Sequence, residues 1–557
     1  MKLLSKTNPF KLGVCRARAL LILIAVPLSS IAKTNGAGPV DTPIDLNSYS
    51  DVYYVSQATG SDIVGDGSIE KPWASVISAL EGAGFAKADS RAVILVSRGR
   101  YASPTFSLRP YVDLYGGFAS PGGKRDIYAY SSILDGEDRH RILLGSDHSR
   151  LDGFRLSNGR VRGKGAALLC DGTSPIIANC IFENNRTLIP QNWDPPLIHE
   201  TAHDGGAVMI LNGAAPQIEN NFFYRNSTEC GRGGALAADR RSFPIIIANV
   251  FSNNTAGNYD PMRSSDGGAV SIFDWSGGVF KGNIVVANHS LTENDGGGVF
   301  IALWSSIDFV DNVVVGNHAG DDAGGLFIGG QEHRYGVPLD PFPPADQFSV
   351  LVKGNTFVGN KNPSENSGAM RITMESRVRL TNNIIAENEG GMYLQRSEIT
   401  AVNNTVWQDY RFIEHKQGLG PSLLEGNILK GPVEEFDAPV TFKQNMGDPL
   451  FAGKDAIPVA DVFVDDGIKG DIIDMSFDPT TNATTLKIGK KLPSGIQFQN
   501  RPIDVDDDWR VIKTASGKTI VFWGRLGADT NIPDEFEILR TFTLKKNAPA
   551  GIGAGAR

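Results

Sequence analysis

The sequence predicts an all-β chain: a right-handed parallel β-helix, or solenoid, with an N-terminal capping helix and a C-terminal β-rich module. Three observations predict it. Glycine makes up 63 of 557 residues without any Gly-X-Y period, which excludes collagen. From Ala167 onward one motif recurs: two glycines and a small residue, a short apolar strand, a second strand, then asparagines. Within those strands apolar residues alternate, the period of two that places side chains on opposite faces of a sheet.

The openings are Gly205-Gly206-Ala207, Gly233-Gly234-Ala235, Gly267-Gly268-Ala269, Gly296-Gly297-Gly298, Gly324-Gly325-Leu326, Ser367-Gly368-Ala369 and Gly390-Gly391-Met392. A first asparagine column follows at Asn221, Asn249, Asn283, Asn312, Asn355, Asn383, Asn404 and Asn427. A second lies five residues further on, at Asn185, Asn226, Asn254, Asn288, Asn317, Asn360 and Asn388. The shortest intervals, in the low twenties, give the bare coil, and the longer ones are the same coil with loops inserted. Stacked asparagines predict an amide ladder along the solenoid. Val208/Ile210, Leu236/Ala238, Val270/Ile272, Val299/Ile301 and Met370/Ile372 are expected to face the core. Met209, Ala237, Ser271, Phe300 and Arg371 are then expected to form a long, nearly flat outer floor.

A solenoid accommodates this length because each coil contacts only its neighbours. Residues 1–32 read as an export signal: Lys2, Lys6, Lys11, Arg16 and Arg18 precede the apolar stretch Ala19–Leu28, and Ser30-Ile31-Ala32 is a small-x-small cleavage site. The mature chain is thus expected to be secreted (periplasmic, extracellular or cell-surface), without a transmembrane segment, and monomeric. Residues 50–110 are expected to hold the N-terminal cap, with an edge strand at Val52–Val55 and an amphipathic helix over Pro72–Leu80 that covers the open end. The solenoid is assigned to 111–445, a β-rich module to 446–547 and a flexible Gly/Ala tail to 548–557. Past Cys15, the cysteines Cys170, Cys180 and Cys230 are an odd set, which is no disulfide framework. A net charge of −9, from 53 basic and 62 acidic residues, argues against nucleic acid or an anionic membrane as partner.

Gly-Gly-Ala followed by Phe-x-x-Asn (Phe182 to Asn185, Phe223 to Asn226, Phe251 to Asn254, Phe357 to Asn360) resembles the repeats of chlamydial polymorphic outer membrane proteins over about residues 165–430. Those are surface-exposed passengers of autotransporters, but no terminal series of amphipathic barrel strands is visible here. The entry segment Tyr54-Val55-Ser56, Gly60-Ser61-Asp62, Gly67 and Lys71-Pro72-Trp73 is similar to the start of many secreted β-helix proteins of the pectate-lyase-like superfamily. That superfamily includes lyases, glycoside hydrolases, epimerases and plain binders, so the resemblance implies the fold and leaves the activity open.

Chemistry is expected in the column before each glycine pair: Asp204, Arg232, Asp266, Asp295, Ala323 with Asp322 one step back, and Glu389. Asp266 and Asp295 fall on adjacent coils, about 4.8 Å apart along the backbone. Stacked carboxylates must share a proton or a cation. They therefore read as a glycosidase pair, as calcium ligands together with Asp322, or as turn acids that bond the glycine amides. His289 and His318 are candidate proton carriers beside them, or surface turn residues. His203 and Asp204, with Arg232 and Arg371, are candidates to bind substrate, the arginines by pairing with a carboxylate. Trp275 and Trp304 share a column and read either as a platform for sugar rings or as packing under a loop. The longest insertions, 186–204 and 331–347, carry Trp193, His199, Glu200, His333, Arg334, Tyr335 and Asp340 and are expected to wall a groove. The expected function is binding and cleavage of an extended polysaccharide by hydrolysis or elimination, with calcium as the one cofactor to consider; the acidic balance favours a neutral or calcium-assisted substrate. The alternative is a non-catalytic adhesin.

Overall fold

The computed structural model describes residues 37–539 except 103, 192–203, 258–264, 292, 331–348, 365, 408–409, 414–419, 432, 437–438, 448–467, 495 and 527–531. The export signal, the terminal tail, His203 and the insertion residues from Trp193 to Glu200 and from His333 to Asp340 lie outside the described residues.

Among the described residues, three long parallel sheets run along the solenoid. The first has fourteen strands, from Asp51–Val55 to Val440–Lys443. The second has twelve, from Phe106–Ser107 to Val433–Phe436, and contains the strand that follows each glycine pair. The third has thirteen, from Gly99–Ala102 to Met446–Gly447. A short fourth sheet of five two-residue strands follows the second asparagine column, from Arg160–Val161 to His289–Ser290. Val208 pairs with Leu236, Leu236 with Val270, and Val270 with Val299. The repeat is therefore a stack in register, despite its uneven spacing. The inward residues join one continuous core.

The asparagines form two ladders, and they are more completely bonded than an amide stack alone requires. Asn283 Nδ2 donates to Asn312 Oδ1 at 3.2 Å and to the Ile246 carbonyl at 3.0 Å, while Asn312 Oδ1 also accepts the Asn283 backbone N–H at 2.9 Å. Each buried rung thus uses both amide donors and both oxygen lone pairs. The first ladder continues to Asn445, beyond the expected last member. In each Phe-x-x-Asn motif the phenylalanine faces the core, where Phe182, Phe223 and Phe251 stack at 4.6 and 4.7 Å between centroids.

The capping helix spans Val76–Gly82, later than expected. Trp73 pairs with Val55 as an extended bridge, and Ser75 caps the helix by accepting from the Ser78 N–H. Residues 72–74 therefore stay outside the helix, which packs Val76, Ala79 and Leu80 onto the end of the core.

Among the described residues the C-terminal module is a closed antiparallel barrel of six strands, from Ile468–Asp478 to Glu535–Ile538, with its own core around Leu486, Ile503, Ile512 and Phe522. It lies along the flank of the solenoid. Val511 and Trp523 pack on Phe222, Tyr224, Val250 and Val286, which are outward residues of the third sheet. Further along, Trp509 packs with Val315, Val358 and Ile384. Third-sheet strands such as Ile284–Val286 and Val313–Val315 are apolar on both faces, which is what burial on both sides demands.

Candidate functional site

The glycine turns bring the acid column together. Gly205, Gly233, Gly267 and Gly296 have φ of 68, 67, 78 and 64°, and Ala323 takes the same position at 61°. Asp322, not Ala323, is therefore the column's next acid, because Leu326 pairs with Val299 and sets the register. The glycine that follows is required by coil spacing: a Cβ on Gly206 would overlap the carbonyl of Gly234.

Each acid bonds upward to the next coil rather than to its own glycines. Asp204 Oδ1 accepts the Arg232 N–H at 2.8 Å, Asp266 Oδ1 accepts the Asp295 N–H at 3.1 Å, and Asp295 Oδ1 accepts the Asp322 N–H at 3.1 Å. Cations meet three of the four acids. Lys164 Nζ lies 2.6 Å from Asp204, Arg232 Nε 3.8 Å from Asp266, and Arg371 Nη1 2.8 Å from Asp322. Asp295 is the acid for which the described residues supply no cation. Burial, then the neighbouring charges of Asp266, Asp322 and Asp321, hold its carboxyl well above the usual range. Asp322 is also raised by burial, with Arg371 pulling it back down. Carboxylate oxygens of Asp295, Asp321 and Asp322 all lie within 4.8 Å of one another, close enough to share a hard cation.

The expected open floor is not open in this stretch. Met209, Ala237, Ser271 and Phe300 point away from the core yet are at most 3% exposed. Phe300 stacks on Phe327 at 4.9 Å and on Phe273 at 6.4 Å, a second apolar layer outside the sheet. Arg232 is buried with its guanidinium 3.8 Å from the Phe273 ring centre, so it holds Asp266 rather than projecting towards solvent. Arg371 keeps partial access, stacked over Tyr393 at 4.4 Å. Trp275 and Trp304 are neighbours, 6.3 Å between centroids, but Trp304 is 2% exposed and belongs to the solenoid core. That leaves half-buried Trp275 as the accessible member.

His289 and His318 are also brought together, 5.8 Å apart and edge to face, but on the fourth-sheet column. Burial, then His318 and then the barrel's Arg510, lower His289 to about 4. The charges that act on Asp295 are other aspartates, and those that act on His289 are cations. Cys170, Cys180 and Cys230 are buried, and burial raises the thiols of Cys170 and Cys180, the latter to about 12, which removes these two as nucleophiles. No helix among the described residues is long and apolar enough to cross a membrane.

Three stacked parallel sheets around one core, closed by a helix at one end, define a right-handed parallel β-helix. Residues 130–319 match the family model described as the right handed beta helix region. Among solved structures the chain is similar to the tailspike protein gp49 from Acinetobacter baumannii bacteriophage Fri1, a capsular polysaccharide depolymerase, at 9% identity over 90% of each chain with a TM-score of 0.26. So loose a superposition transfers neither site nor activity. No curated protein matches the chain.

Proposed function

We propose that the protein, exported through residues 1–32, binds an extended polysaccharide and hydrolyses it at the acid column, with Asp295 as general acid and Asp266 as its ionised partner. The observation that carries this reading is the asymmetry of the two stacked acids. Asp266 has Arg232 beside it, whereas Asp295 is crowded by carboxylates and keeps its proton to higher pH. Glycoside cleavage needs such a pair, one carboxyl protonated to release the leaving oxygen and one ionised to act on the opposite side. The substrate would run past Asp295, Arg371 and Tyr393, which retain partial access, rather than over the buried strand face. His289 and His318 are assigned no step, since the charges that act on His289 are His318 and the barrel's Arg510 and not the aspartates of the column.

A second reading is a non-catalytic adhesin. It is favoured by the backbone bonds of the acid column, which give Asp204, Asp266 and Asp295 a structural task. Digestion of a panel of polysaccharides, with and without a chelator, separates the two. New reducing ends support hydrolysis, and unsaturated ultraviolet-absorbing ends would replace it with elimination. Binding without product would leave the adhesin. Loss of activity with chelator would assign Asp295, Asp321 and Asp322 to calcium instead.

A further inference from the structure

Away from the acid column, the loops of the early coils enclose a cleft of about 520 Å³ lined by Arg139, His140, Arg141, Arg160 and Arg162, with Asp138 as the acid on its wall. Four arginines converge against one aspartate in a chain whose net charge is −9. Arg141 is pre-positioned: its Nε donates to the Gly165 carbonyl at 2.9 Å and its Nη2 to the Lys164 carbonyl at 2.8 Å. Those bonds fix the guanidinium and leave its other N–H groups unassigned. Arg162 is tethered to the Ile189 carbonyl at 2.5 Å. Arg139 and Arg160 are exposed, and among the described residues neither side chain has an acidic partner. Like charges held together without compensation cost stability, so a function is the economical reason for their presence.

Arg160, on the cleft wall, also begins a ridge of aligned residues along the fourth sheet. Arg160 pairs in register with Arg186, then Ser227, Thr255 and His289 follow on successive coils. Bridges continue the row through His318 to Lys361. From Arg160 to Lys361 the row holds three cations, two hydroxyls and two histidines, of which burial keeps His289 neutral at neutral pH, and Glu389 takes the next position. Glu229 partly neutralises Arg186 at 3.6 Å, and Glu389 does the same for Lys361 at 3.1 Å. The cleft end of the row is the uncompensated one.

We propose that this cleft binds the oxyanion of an acidic saccharide, a carboxylate or sulfate carried by a sugar unit, and that the ridge guides the rest of the polymer along the solenoid. Guanidinium groups match such planar or tetrahedral oxyanions with paired N–H donors. A cleft of this size takes one or two sugar units. The inference rests on the polysaccharide reading and narrows it to a charged polymer, against the neutral substrate that the overall charge suggests.

Affinity electrophoresis of the full chain tests it, with gels containing polygalacturonate, dextran sulfate or neutral dextran. The wild type is expected to be retarded by one or both charged polymers, and which of them identifies carboxylate or sulfate. The double variant Arg139→Glu, Arg160→Glu should weaken that retardation at least tenfold. The charge-matched control Lys490→Glu, Lys491→Glu, two exposed lysines on the barrel, should retain it. Equal loss in both variants would mean non-specific attraction and overturn the proposal. Retardation by neutral dextran alone would overturn it while sparing the polysaccharide reading, and no retardation by any polymer would sink both.

Discussion

Asp266 accepts the backbone N–H of Asp295 at 3.1 Å, one coil along the solenoid, and Asp295 in turn accepts that of Asp322, so these acids hold the backbone of the next coil. Scaffold and candidate chemistry therefore share the same atoms. A substitution that keeps the acceptor oxygen but removes the charge can separate the two roles.

Asp295→Asn is that substitution. The amide oxygen still accepts from Asp322, so folding should persist, while cleavage should be lost if Asp295 supplies the proton. The native state retains a proton that an unfolded aspartate, with a pKa of about 3.9, releases. Wild-type stability should therefore fall as pH rises from about 4 through the raised native value. The variant should lack that decline and melt at or above wild type at pH 8, measured by calorimetry. Full activity in the variant would remove Asp295 from the mechanism.

His289 gives the opposite slope. Its native value of about 4 lies below the ordinary 6.5, so the unfolded chain binds the extra proton first. Stability should be complete above about pH 6.5 and be lost as pH falls towards 4. His289→Gln should flatten that part of the melting profile. An unchanged slope would show that another group governs it.

Asn312→Leu should cost about 1–3 kcal/mol in urea unfolding, because it takes the acceptor from the Asn283 amide below and one of two donors from the Asn355 oxygen above. A cost under about 0.5 kcal/mol would mean that the ladder contributes little.

Gly316→Ala tests the seating of the barrel. Gly316 has φ of 59°, and an added Cβ would run into the Trp509 ring. Backbone strain and overpacking together predict a loss of roughly 1–3 kcal/mol and faster proteolysis between solenoid and barrel. An unchanged cleavage rate would mean that this contact does not hold the module.

Residue order alone determined the coil, its in-register stack and both asparagine ladders. A stacked strand repeats one local requirement per turn: small residues where coils touch, alternating apolar residues in the strand, and an amide at the corner. Those requirements lie within a few residues of each other, so they survive loop insertions and can be read directly. Asp266 and Asp295 were legible for the same reason. The tertiary structure decided which acid lacks a cation, because Lys164, Arg232 and Arg371 reach the column from different coils. It also decided that Met209 and Phe300 are inaccessible, that Trp304 is core, and that Arg510 acts on His289. The basic cleft was missed because Arg139 and Arg141 come from one segment, Arg160 and Arg162 from a short strand and its flank, and all precede the regular repeat. The barrel's place on the flank was signalled only by strands apolar on both faces, such as Val313–Val315. Burial and charge partnership depend on what the fold brings from far along the chain, as with Asn482 and Glu183, 299 residues apart, and no local pattern encodes that distance.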